Sequence, residues 1–453
     1  METASIGLTE AINRAQGARR DVLLAVRATL EAADPRKLLD KAVTLDGSSL
    51  MAAGGRYDLN TYRKIVVLGG GKASALMAAE MEHILGERID EGVVLVPDTQ
   101  KVIPDLSRVR LEMSTHPLPT EKGVLAVKEM LKVADRVGDG DLLIALLSGG
   151  GSALMPLPID GVMVEDLRDT TSLLLRSGAD IVEMNCVRKH LSQIGGGRLA
   201  ERVQGAEVLS LIISDVVGDD LGSVASGPTV PDPTTFAMAR DVMKRHGIWE
   251  TVPPSVRNRI QAGVDAALGE TPKPGNPLFA KVHNILIGSN SVACAAAKAS
   301  LEEAGYVVRY FLESVTGEAR DVGRRLADIA RSGPADRAWA AVAGGETTVI
   351  VKGPGKGGRN QELALSAAMA LQDSPRTTLL SFATDGIDGT TGAAGAIADS
   401  TTYERALSME LDPGLFLHEN DSHTFFETLG DLVVTGPSGT NVNDVMIVLK
   451  GRD

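Results

Sequence analysis

The chain has 453 residues, 43% hydrophobic and 23% charged, a globular balance; its length exceeds the ~250–300 residues at which single cores stop growing, so two domains are expected. A formal charge of −13 and a pI near 5.2 exclude nucleic acid and anionic membrane surfaces as main partners, so an anionic ligand must be held by local basic groups. Only Cys186 and Cys294 occur, without a CxxC, and neither an apolar N-terminal segment nor an 18-residue uncharged apolar window is present; the expectation is a cytoplasmic protein with no disulfide framework, zinc site or membrane span.

In chain order, Glu10–Ala33 reads as an amphipathic helix, Lys64–Leu68 as a buried strand, Lys72–Leu85 as a helix and Gly92–Val96 as a strand. A helix over Lys122–Arg136 and strands over Leu142–Leu147 and Val208–Ile213 follow. Between Thr229 and Pro277 the alternation lapses into a stretch with seven prolines and one helix-like segment, Ser255–Leu268. Beyond it come a strand at His283–Ile287, a helix at Ser291–Glu303, a strand at Val307–Phe311, a helix at Glu318–Arg331 and strands at Trp339–Ala343 and Thr347–Lys352. A helix at Asn360–Leu371 and strands at Leu379–Ala383, Asp431–Val434 and Val445–Leu449 complete the pattern. Continuous apolar strands alternating with helices imply sheets covered on both faces, a doubly wound α/β architecture. The expected division is a Rossmann-like domain over 1–240, a proline-rich boundary over 241–278 and a second α/β domain over 279–453.

Glycine is enriched, at 49 residues, and clusters beside the apolar runs. VVLGGGKASA (Val66–Ala75) and LLSGGGSALM (Leu146–Met155) each place glycines between a strand and a helix. Such loops turn bare N–H groups and a helix N-terminus outward from the carboxyl edge of a sheet, which suits phosphate or carboxylate. Neither fits GxxxxGK[ST], so tight strand-to-helix turns remain the competing reading. Gly70, Gly71, Ser148, Gly149, Gly150, Gly151 and Ser152 are candidate binding positions, and Lys72 is placed to reach a phosphoryl group unless it is a solvated first-turn lysine. GPGKGG (Gly353–Gly358) is a literal GxGxxG, with Asp385 on the next strand. It supports either a dinucleotide fingerprint, and so an NAD(P)H-dependent reductase, or a basic anion loop with Lys356 and Arg359, next to Asn360.

SDVVGDD (Ser214–Asp220) and TDGIDG (Thr384–Gly389) follow apolar strands and bring Asp215 and Asp385 to the same sheet edges. They are candidates for Mg²⁺ ligation or proton acceptance, against a role as turn-forming caps. NCVRKHLSQIGGGRLA (Asn185–Ala200) offers Arg188 and Lys189 to a small carboxylate, while His190 reads as structural rather than catalytic.

Together with ISDVVGDDLGSVASGPTVPDPTT, GGETTVIVKGPGKGGRNQELAL, TDGIDGTTGAAGAIAD and TGPSGTNVNDVMIVL, these blocks resemble the glycerate 2-kinases of the MOFRL type, some of which are labelled hydroxypyruvate reductases. The likeness runs from about Lys64 to Leu449 and departs from the family's form at Gly392, which replaces an acid. The resemblance implies transfer of the ATP γ-phosphoryl group to the 2-hydroxyl of D-glycerate with a divalent metal. It also implies two unlike three-layer α/β/α domains with mixed, mostly parallel sheets and a cleft between them. It points to Lys72 and Arg359 as catalytic. The implied partners are small molecules, with a homo-oligomer compatible; a reductase and a non-catalytic metabolite-binding protein are the alternatives.

Overall fold

The computed structural model describes residues 2–100, 103–333 and 337–451. The chain divides into two compact units, Pro35–Gly288 and Met1–Asp34 with Ser289–Asp453. This corrects the expected division in two places.

Residues before Pro35 belong with the C-terminal segment, because the helix Gly17–Ala32 packs on the helix Asn290–Glu303 and Arg19 pairs with Asp399 and Asp431 at 2.7 and 2.5 Å. The expected single helix over Glu10–Ala33 is two, Glu2–Arg14 and Gly17–Ala32. The proline-rich stretch is no linker either. Its helix Pro254–Val264 packs with Val164–Arg176, Ile181–His190 and Phe236–Arg245 around a core of Phe236, Leu174, Val187 and Ile260, inside the first unit.

In the unit Pro35–Gly288 an antiparallel meander, β1 (Val43–Asp46), β2 (Ser49–Ala52) and β3 (Gly55–Asp58), precedes a six-stranded sheet. That sheet is built from β4 (Ile65–Gly70), β5 (Glu91–Pro97), β6 (Val109–Ser114), β7 (Leu142–Ser148), β8 (Glu207–Ile213) and β9 (Val282–Gly288), in the order β6-β5-β4-β7-β8-β9 and parallel throughout. Its central strands are buried on both faces, which is why IVVLGG and LLIALLS read as unbroken apolar runs. The chain winds outward from β4 through β5 to β6 and then returns to place β7 on the other side of β4. Strand order therefore reverses between β4 and β7, the point at which open parallel sheets bind ligands.

The second unit carries β10 (Val307–Val315), β11 (Trp339–Gly345), β12 (Thr377–Ala383), β13 (Gly395–Asp399), β14 (Leu432–Val433) and β15 (Asp444–Lys450), ordered β10-β11-β15-β12-β13-β14. β10 and β11 are parallel and the remaining pairs antiparallel, so this sheet is mixed. Its core includes Trp339, Phe425, Phe426 and Leu363. The strand expected at Thr347–Lys352 does not form. Thr348 makes an isolated bridge to Glu318, and the N–H groups of Lys352 and Gly353 donate to Asn420 Oδ1 at 2.7 and 2.9 Å, so a side chain takes the place of a neighbouring strand.

Candidate functional site

β4 and β7 are in register, with Gly70 opposite Leu147, so the two glycine loops emerge side by side at the switch point. Each explains the glycines of the other. Lys72 N–H donates to the Gly149 carbonyl at 2.9 Å, and Ala73 N–H to Ser148 Oγ at 3.0 Å, a hydroxyl that also meets Ser74 Oγ at 3.2 Å. A Cβ at Gly71 would stand 2.1 Å from Ser148 Oγ, so the backbone there has no room for a side chain. Ser148 is thus a buried clasp between the loops. The helix expected after the second loop is a short one, the four-residue turn Gly151–Leu154.

The loop pair gathers further groups. Asp215, just past β8, lies against Gly149 so closely that a Cβ there would fall 2.0 Å from its Oδ2. Gly150 has φ +79°, and its bare face is flanked by His116 Nε2 and the Lys72 stem, 3.0 and 3.2 Å from where a Cβ would project. Burial, with the Lys72 charge in support, pushes the His116 imidazole down to about 4. Sequence reasoning missed His116. The available signal was THPLPT, a histidine directly after β6 whose peptide bond to Pro117 is cis.

Gly70 and Gly151 pack beside each other, and Ser152 Oγ meets Ser226 Oγ at 2.8 Å, which in turn donates to Asn185 Oδ1 at 3.0 Å. Ala225 and Ser226 both adopt left-handed φ, at +51° and +60°, a strained pair beside the loops. Arg188 lines the same recess with Ser152, Ser192 and Ser226. Burial lowers its guanidinium pKa, and no carboxylate pairs with it among the described residues, so it is open to a ligand carboxylate.

Lys189 is placed differently from expectation. Its Nζ pairs with Asp232 Oδ1 at 3.5 Å, both side chains are buried, and Asp232 also accepts from Thr234 and Thr271 at 2.7 and 2.9 Å. A buried ammonium needs such a partner, so the residue is structural. His190 is structural as expected, fully buried, with Nδ1 on the Cys186 carbonyl at 2.7 Å and its ring edge-on to Phe236.

In the second unit Arg359 opens the helix Arg359–Ala370 and forms a two-pronged pair with Asp444 at 2.6 and 2.9 Å, its third nitrogen reaching Glu346 at 2.5 Å. Asp444 begins β15, opposite Gly345 and Ala383, at the carboxyl ends of β11 and β12. Burial pushes its carboxyl up, with the Arg359 fork opposing; burial acts to lower the guanidinium, but the acids around it outweigh that and raise it. About 29% of the Arg359 side chain remains exposed, so it can meet a ligand while held by two acids.

Of TDGIDG, Asp388 rather than Asp385 is the organising acid. It is buried and accepts from the N–H groups of Asn360 and Gln361 at 3.1 and 2.9 Å, capping the helix that carries Arg359. Asn360, expected to bind ligand, is buried, its amide spent on Asp388 and Ser381 at 3.3 and 2.5 Å. Asp385 accepts from Ile387 N–H at 3.0 Å within its turn.

GPGKGG is not a cofactor cradle. The Gly355 and Lys356 N–H groups donate to Glu419 O and Asp421 Oδ1 at 2.9 and 3.0 Å, so the loop lies on its own unit, with the Lys356 side chain exposed. No strand runs directly into it, since β11 ends at Gly345, and the anion at its helix start is Asp388.

Known proteins share this design. Residues 21–261 match the family described as "Domain of unknown function (DUF4147)", and residues 339–444 the MOFRL family. The chain is 40% identical over 426 residues to "Glycerate 2-kinase" of Pyrococcus horikoshii, covering 93% of this chain and 94% of that one. It is 41% identical to "D-glycerate 2-kinase" of Thermotoga maritima over 85% of this chain and 90% of the relative. A crystal structure of glycerate kinase from Thermotoga maritima superposes with a TM-score of 0.80 at 39% identity, covering 95% of this chain and 98% of the other. The chain, with its DUF4147 match followed by a MOFRL match, therefore belongs to the glycerate 2-kinase family.

Proposed function

We propose that the chain transfers the γ-phosphoryl group of ATP to the 2-hydroxyl of D-glycerate, giving 2-phosphoglycerate and ADP. The observation that carries this reading is the pair of clasped glycine loops with Lys72 at the strand-order reversal, in a chain with relatives along most of its length that are named glycerate 2-kinase. Phosphoryl transfer asks chiefly for positioning and neutralisation of charge spread over the phosphoryl oxygens. Lys72 supplies a cation for it at the glycine loops, and Arg188 grips the glycerate carboxylate through its fork. The bare N–H groups around Gly149–Gly151 and the Ser152 hydroxyl orient the phosphates.

Among the described residues no three His, Cys, Asp or Glu side chains form a cage of their own, so Mg²⁺ would depend on phosphate oxygens as well as protein carboxylates. Asp215, pressed against the glycine loop, is the acid beside Lys72's loop that would hold it. When bound, it neutralises phosphate charge. With small molecules as partners the reading places the chain in the cytoplasm, and no described helix is long and apolar enough to cross a membrane.

The test is ADP release by the purified protein, expected only when D-glycerate, ATP and Mg²⁺ are all present, with the product phosphate on carbon 2. Hydroxypyruvate-dependent loss of NADH absorbance without ADP would overturn it in favour of the reductase; glycerate binding without turnover would leave a metabolite-binding protein.

A further inference from the structure

We propose that His116 is the catalytic base of this kinase, the group that accepts the 2-hydroxyl proton as the phosphoryl group is transferred. The proposal rests on the glycerate kinase reading above. It begins with placement. Thr115–Pro119 follows β6 and brings the imidazole to Gly150, where Nε2 and Cδ2 lie 3.0 and 3.3 Å from the point a Cβ would occupy and the Lys72 stem lies 3.2 Å from the same point. The ring and the phosphate-seeking lysine thus share one face of a loop that carries no side chain there. An acceptor hydroxyl must come within reach of both the phosphoryl group and its base. At Gly150 those two requirements are met together.

The electrostatics agree. A base must be unprotonated before reaction, and among the described residues Lys72 is the charged group that acts on His116; burial and that charge both disfavour the imidazolium. When a triphosphate arrives beside Lys72 its negative charge offsets the lysine, so the ring becomes more basic at the moment a proton has to move. Asp215, the other acid-base candidate on this loop, lies on Gly149, and a carboxylate committed to a metal is a poor proton acceptor.

The step balances as follows. The substrate O2–H bond breaks with its proton passing to the imidazole, the oxygen pair forms the new O–P bond, and the P–O bond to the β-phosphate breaks with its electron pair leaving on ADP. The imidazolium then releases its proton to water.

His116→Ala and His116→Gln test the assignment against wild-type protein assayed with D-glycerate, ATP and Mg²⁺. Both variants should keep the wild-type melting temperature and both KM values within about threefold, while turnover falls by roughly 10²–10⁴-fold, the range for a lost general base. Added imidazole should restore His116→Ala at least about tenfold, by re-supplying the base in the space left, and leave His116→Gln and the wild type unchanged. Turnover near wild type in either variant overturns the proposal, as does a loss in His116→Ala that imidazole does not relieve, or a loss in either variant seen as a raised KM for ATP. If the alanine variant does not fold, the glutamine variant decides by turnover at an unchanged melting temperature. An inactive wild type would sink the glycerate kinase reading itself, which separates the two failures.

Discussion

Glycine 149 offers a quantitative test of the loop architecture. A Cβ added there would stand 2.0 Å from Asp215 Oδ2, 2.2 Å from its Cγ and 2.8 Å from its Cβ. A change of the Asp215 χ1 angle relieves the first two clashes but not the third, so the backbone after β8 must also yield. Overpacking of this kind costs about 1–3 kcal/mol. A displacement of about 1 Å in a group that positions substrate or metal costs roughly 10²-fold in rate. Gly149→Ala should therefore lose stability in denaturant unfolding and turnover in the glycerate-dependent ADP assay. Gly138→Ala, where an added Cβ meets nothing within 4 Å, should stay within about 0.5 kcal/mol of wild type.

The decisive form is a double-mutant cycle with Asp215→Ala. In that background most of the clash is gone, so adding the Gly149 methyl should cost at least about 1 kcal/mol less than it does in the wild type. Strict additivity of the two substitutions, or wild-type turnover in Gly149→Ala, would show that Asp215 does not sit on the glycine loop and would refute the reasoning.

Lys72→Ala should fold normally and lose about 10²-fold or more in turnover, as expected for a lost charge contact in the transition state; full activity would remove it from the site. Arg359→Lys should chiefly lower turnover, because a point charge cannot reproduce the fork that engages Asp444, whereas Arg188→Lys should chiefly raise the glycerate KM; the reverse pattern in steady-state kinetics would exchange their roles. Asp232→Asn should destabilise the protein by about 3–5 kcal/mol near neutral pH, since Lys189 is left buried without its acid. Burial alone would raise the Asp232 carboxyl, but Lys189 and the threonine hydroxyls hold it below the usual range. Its contribution is therefore present above the unfolded pKa of about 3.9 and lost as pH falls through the lower folded value, so the denaturation midpoints of wild type and variant should converge only under acid; convergence already at pH 6 would contradict the pairing.

What the sequence determined by itself was local. Unbroken apolar runs such as LLIALLS identified the buried parallel strands, because a strand covered on both faces has no polar side to show. The triple glycines and Lys72 marked a backbone under close approach, and the ordered blocks marked the family. What approaches was not legible. Gly71 and Gly149 are bare mainly because Ser148 and Asp215, 77 and 66 positions further on, press against them, and those proximities arise only when β4 pairs with β7 and β7 with β8. The same holds for roles that depend on burial. Asp385 and Asp388 look alike in TDGIDG, yet only Asp388 meets the helix start of Arg359, and Lys189 beside Arg188 turns inward to Asp232. Thr347–Lys352 has the β-branched residues of a strand and lacks a strand neighbour along its length, whereas the alanine-rich Gly395–Asp399 becomes one because β12 pairs with it. Periodicity and backbone freedom are written residue by residue, but pairing partners, ion pairs and the neutral state of His116 depend on residues far away in the chain, and only tertiary structure brings those together.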